Sequence, residues 1–241
     1  MSASALQIAI EPVLHTGPER LEFERRLALD HSEILELGCG RADLTRLIAN
    51  GGPGRRITAT EVDQIQHAKN IALTDLPNVN FELAGAQAIP RPDASVDTVF
   101  MFKSLHHVPV DAMGTALREV ARVLRPGGRA WISEPVFAGA FNDILRLFHN
   151  EERVRAAAFA AIVEAVEAGV LASEAQIFFN QPMAFPDFAA FERQVIGVTH
   201  TRHVLSPETY AEVARRFNAH QTPDGVKFRQ PLRVDLLRKP V

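Results

Sequence analysis

The sequence predicts an α/β protein whose strands lie mostly parallel in one doubly wound sheet. Three observations predict it. Short apolar runs that end in turn residues alternate with amphipathic stretches between residues 30 and 135. The first run, residues 34–37, leads straight into Gly38-Cys39-Gly40 and then a helical stretch. The second closes on a carboxylate, Glu61. Strands and helices alternating at this spacing build βαβ units, which cross over right-handedly and bind ligands beyond the carboxyl ends of the strands.

The elements follow in order. Residues 18–29 carry Leu21, Phe23, Leu27 and Leu29 among charges, which suits a surface helix. Residues 34–37 form a buried strand ending in a tight glycine turn. A helix over 42–50 is stopped by Gly51-Gly52-Pro53-Gly54. A strand over 56–62, a helix over 64–73 and a strand over 79–83 come next. The turn Arg91-Pro92-Asp93-Ala94 opens a fourth strand at 96–102. An amphipathic helix over 111–124 ends at Pro126-Gly127-Gly128, and a fifth strand covers 129–133. The rhythm breaks after Pro135. Residues 142–171 read as helical, and nine of the fifteen phenylalanines lie between Phe137 and Phe191. A helix at 207–217 and a closing strand at 227–237 restore the pattern. The expectation is one domain made of residues 1–135 and 205–241, with a helical, phenylalanine-rich cap inserted at 136–204.

Composition sets the class. The chain has 241 residues, 46% apolar and 23% charged, as a domain with a real core requires. A net charge of −3 argues against broad electrostatic binding of nucleic acid or an anionic membrane. Cys39 is the only cysteine, so no intrachain disulfide forms, which fits a reducing compartment. No basic stretch precedes an apolar segment at the start, and residues 156–172 are interrupted by Glu164 and Glu167. These features predict a cytoplasmic protein with a small-molecule ligand, no nucleic-acid partner and no membrane partner. Oligomeric state is not encoded here, and a dimer is compatible with the composition.

The turn Glu36-Leu37-Gly38-Cys39-Gly40-Arg41-Ala42 carries the strongest signal. Small residues let backbone pass close to a ligand, and the following helix offers free N–H groups. A dinucleotide fold would place glycines at 38, 40 and 43, but Asp43 fills the last position and would repel a pyrophosphate. A phosphate-free nucleoside escapes that objection. Glu61 ends the second strand, where a carboxylate can accept both hydroxyls of a ribose. Asp63 is its rival for that role.

Three blocks in order, Ile34 to Ala42, Ser95 to Val108 and Leu117 to Pro135, resemble the class I S-adenosylmethionine-dependent methyltransferases, in particular their UbiE-like small-molecule branch. The likeness covers roughly residues 30–135, a little under half the chain. It implies a seven-stranded Rossmann-like sheet and S-adenosyl-L-methionine as cofactor, with S-adenosyl-L-homocysteine as product. By resemblance, Glu36, Gly38, Cys39 and Gly40 line the methionine end of the cofactor, Glu61 holds the ribose and Val62 lies on the adenine. Gly85, Ala86 and Gln87 would reach the adenine edge, and the strand end Phe102-Lys103 would offer a backbone carbonyl to the methionine ammonium. The Lys103 side chain would meet the cofactor carboxylate or an acidic substrate group, with a solvated lysine as the alternative. Two positions depart from the family. Ala42 replaces a third glycine, and the adenine loop lacks its usual acid.

Methyl transfer from a sulfonium needs alignment and exclusion of water, and a base only when the acceptor carries a proton. His106 and His107, after the fourth strand, are the catalytic candidates, with a structural role as the alternative. His200, Arg202 and His203 form a second polar cluster, but no third ligand accompanies its histidines, so no metal site is expected. Phenylalanines of the cap either shape an apolar acceptor pocket or form the cap's own core. The fourth strand is not followed by Asn-Pro-Pro-Tyr, which argues against adenine methylation. Competing readings are a nicotinamide-dependent oxidoreductase and a non-catalytic S-adenosylmethionine-binding protein.

Overall fold

Seven strands form one sheet in the order β3-β2-β1-β4-β5-β7-β6 in the computed structural model, which describes residues 2–198, 201 and 203–241. The strands are β1 (Glu33–Leu37), β2 (Arg56–Glu61), β3 (Val79–Leu83), β4 (Val96–Phe102), β5 (Leu124–Pro135), β6 (Ala172–Phe185) and β7 (Val226–Arg238). The first five pair in parallel, and β7 runs antiparallel to both β5 and β6. Strand order reverses between β1 and β4, the position where doubly wound sheets open a crevice.

Helices cover both faces. On one face α4 (Met113–Val123) and α6 (Glu152–Glu167) pack over Leu35, Val99, Met101 and Ile132. On the other, α1 (Glu19–Glu24) and α2 (Asp43–Ala49) bring Phe23 and Ile48 against Ile34, Phe100 and Trp131. The α3 helix (Gln64–Asn70) begins at Asp63, whose carboxylate accepts the N–H groups of Ile65 and Gln66. No helix among the described residues is long and apolar enough to cross a membrane.

The segment 136–204 departs from the expected helical cap in two ways. Residues 172–185 are the edge strand β6, and α6 covers the main sheet rather than a separate layer. Pro182 interrupts the run and its burial does not alternate cleanly, so periodicity hid the strand. An edge strand tolerates such a proline because its outer N–H groups need no partner. A smaller phenylalanine core does exist. It joins Phe141 and Leu145 of α5 (Ala140–Leu145), Phe191 of α7 (Phe188–Phe191) and Phe217 of α8 (Pro207–Asn218) to Phe185 and Phe228 on the projecting strands. Those rings meet one another at 5.0–6.4 Å, so they serve as core and not as a pocket lining.

Candidate active site

The glycine turn leaves β1 with Gly38 at φ +75° and Gly40 at φ +50°. A Cβ on Gly38 would come within 2.9 Å of the Ser104 side chain, whose hydroxyl donates to the Leu37 carbonyl at 2.7 Å. A Cβ on Gly40 would meet nothing within 4 Å, so the space above it is open. Ala42, where the family has glycine, also sits in the left-handed region at φ 61°. That conformation costs an alanine about 1–2 kcal/mol.

Glu61, at the end of β2, accepts N–H groups from Gly40 (2.8 Å), Val62 (2.8 Å) and Asp63 (3.0 Å). A carboxylate offers about four acceptor sites, so the two-pronged ribose contact expected from sequence has a single site left, on Oε2. Asp63 caps α3 and points its carboxylate at that helix. Val62 is 65% exposed, an apolar surface beside the turn. Gln87 is exposed and folds over Gly85, while Ala86 is buried in the core.

Glu36 is buried, and its Oε2 has no hydrogen-bond partner. Burial, reinforced by the carboxylates of Glu19 and Glu61, pushes its pKa up to about 8, with the nearby Thr45 hydroxyl and Lys103 opposing. Burial likewise pushes the Cys39 thiol up, so Cys39 is no nucleophile. Phe102 stacks on Phe100 at 4.9 Å, which leaves only its backbone for a ligand. Lys103 takes a left-handed φ of 53° and places its ammonium 3.3 Å from Glu19.

Beyond β4, the turn Leu105–His107 carries the two candidate histidines. They do not share one environment. His106 is buried, its Nδ1 bonded to Glu134 and its Nε2 3.4 Å from Glu151. Burial disfavours the charged ring, but the two carboxylates outweigh it and lift the pKa to about 9. Glu134 and Glu151 are held below the usual carboxylate range, because His106, together with Arg233 at Glu134 and with Arg155 and His149 at Glu151, outweighs their burial. His107 is exposed, and its ring lies 4.1 Å from that of His106. His149 reaches Glu151 at 2.8 Å, and the His203 ring meets that of His149 edge to face at 4.7 Å. His200 and Arg202 lie outside the described residues. Ligand atoms of His106, His107 and Glu151 fall within 4.8 Å of one another. A metal there would have to displace the proton that His106 holds between two carboxylates.

Sequence reasoning missed Glu19, Ser104, Glu134, His149 and Glu151. For Glu134 a signal was present, since it ends β5 beside the loop after β4. The others depend on tertiary contacts that no local pattern announces.

Residues 34–128 match the family described as "Methyltransferase domain". They form a class I S-adenosylmethionine-dependent methyltransferase domain. The cofactor of such a domain is S-adenosylmethionine. The 27-O-demethylrifamycin SV methyltransferase of Amycolatopsis mediterranei is 37% identical over 100 residues, 40% of this chain and 36% of its own. The O-methyltransferase rstn1 of Aspergillus nomiae is 34% identical over 151 residues, 58% of this chain and 65% of its own. The chain spans from 36% to 65% of the length of such curated relatives. A putative methyltransferase structure from Bacillus halodurans shares the methyltransferase fold at a TM-score of 0.62 and 14% identity, covering 93% of this chain and all of that one.

The site residues fit S-adenosylmethionine. Glu36 offers a buried oxygen without a donor, Gly40 faces open space, and Glu61 keeps one acceptor site beside it.

Proposed function

We propose that the protein methylates a hydroxyl of a small molecule, in the manner of the UbiE-like branch, using S-adenosyl-L-methionine and releasing S-adenosyl-L-homocysteine. The observation that carries this reading is the bare oxygen of Glu36 beside the glycine turn that Glu61 anchors. Relatives named O-methyltransferases favour oxygen as the acceptor atom.

When bound, the cofactor supplies a methyl group already activated by its sulfonium charge. Glu36 and the Phe102 carbonyl receive the ammonium, and Lys103 meets the carboxylate of the amino-acid end. Gly38, Cys39 and Gly40 let backbone approach closely. Glu61 accepts from the ribose through its remaining site. Val62 gives the adenine an apolar face, and the loop Gly85-Ala86-Gln87 reaches its edge, Gln87 standing in for the missing acid.

At the acceptor end His106 serves as a fixed cation rather than a base, because both ring nitrogens face carboxylates. His107, exposed beside it, accepts the hydroxyl proton. Calorimetric titration with S-adenosylhomocysteine and with NAD tests the class. Binding of NAD without S-adenosylhomocysteine would transfer the chain to the oxidoreductases. With a hydroxylated acceptor in hand, His107→Ala lowers turnover about 10²-fold and leaves cofactor affinity unchanged. The reverse pattern would make His107 part of the cofactor shell.

A further inference from the structure

The matched methyltransferase domain begins at residue 34, and Glu19 lies before it on the first turn of α1. Its carboxylate is almost wholly buried, and the cation paired with it is Lys103. One oxygen accepts the indole N–H of Trp131 at 3.0 Å, and the other lies 3.3 Å from Lys103 Nζ. A neutral acceptor would satisfy the indole equally well, and burying a charge is costly without a partner. The charge of Glu19 is therefore matched to Lys103.

Lys103 is constrained from its other end too. Its left-handed backbone is fixed by an N–H bond to the Ser133 carbonyl at 2.8 Å. The side chain keeps 29% of its surface accessible, so it remains open to a ligand. Glu19 and Lys103 are both electrostatic neighbours of Glu36, which places the pair at the methionine end of the site. A free lysine stem would lose rotamer freedom on binding, and one already anchored loses less.

We propose that Glu19 is a positioning residue of the cofactor site, holding the Lys103 ammonium where it pairs with the carboxylate of the cofactor's amino-acid end. The inference rests on the S-adenosylmethionine reading above. The test compares S-adenosylhomocysteine with 5′-methylthioadenosine, which keeps the nucleoside and thioether but lacks the amino acid. Glu19→Gln preserves the acceptor for Trp131 and removes only the charge. It weakens S-adenosylhomocysteine binding about tenfold and leaves 5′-methylthioadenosine within about twofold. Lys103→Met does the same, and the double variant is no weaker than Lys103→Met alone. Glu19→Asp recovers part of the loss. An unchanged ratio of the two affinities in Glu19→Gln, whether both fall or neither does, overturns the proposal. Failure of the unaltered protein to bind either ligand overturns instead the cofactor reading itself.

Discussion

Beyond β1 and β2 the polar groups that meet are backbone N–H donors on one carboxylate, Glu61. Beyond β4 and β5 they are side chains on side chains: His106 between Glu134 and Glu151, with Arg155 and His149 on the latter. The first arrangement needs few particular residues, because every non-proline backbone supplies a donor. The second needs each partner present, because a buried charge left alone costs several kcal/mol. The cofactor end is thus tolerant by construction and the histidine end cooperative, so substitutions at the two ends should fail differently.

The largest effect should come from the histidine end. Glu134→Ala leaves the His106 cation buried with one carboxylate instead of two. Unfolding in urea should show a loss of about 3–5 kcal/mol, with the cofactor end affected only through stability. A loss below about 1 kcal/mol would show that the cluster is solvated and erase the contrast. The same pairing predicts a pH dependence. The folded-state pKa of His106, about 9, exceeds its ordinary value of 6.5. Its contribution is therefore complete below pH 6.5 and disappears as pH climbs through 9. The melting temperature should fall across that window, and in Glu134→Gln the fall should be smaller and end at lower pH.

At the cofactor end the expected effect is smaller and of another kind. Glu61→Ala removes the ribose acceptor and frees three N–H groups that water can reach through the open space above Gly40. S-adenosylhomocysteine affinity should weaken by about 1–3 kcal/mol in calorimetric titration, with less loss of fold stability than Glu134→Ala causes. If stability fell as far as in Glu134→Ala, the two ends would be built alike.

This contrast also explains what the sequence made legible. The glycine turn and Glu61 are local: Gly38 and Gly40 are needed at positive φ, and a strand end presents the carboxylate, so spacing alone identifies them. All five parallel strands follow from the same short-range pattern. The His106 environment is assembled from β4, β5 and the segment before α6, some 28 to 45 residues apart, so His106 and His107 looked equivalent as neighbours in sequence. The edge strand β6 was illegible because its partner, β7, lies at the far end of the chain. Pairing, rather than periodicity, makes that segment a strand.

Asp63 provides the finest test of the distinction, because it lies two residues from Glu61 and carries the same charge. Its carboxylate caps α3 through the Ile65 and Gln66 N–H groups, a local structural task. Asp63→Ala should therefore cost about 1 kcal/mol of stability while S-adenosylhomocysteine affinity changes by less than about twofold. Calorimetric titration beside a urea melt separates the two quantities. Should Asp63→Ala weaken the ligand as strongly as Glu61→Ala, the ribose would be held jointly by both carboxylates, and the single acceptor site left on Glu61 would no longer limit how the sugar is gripped.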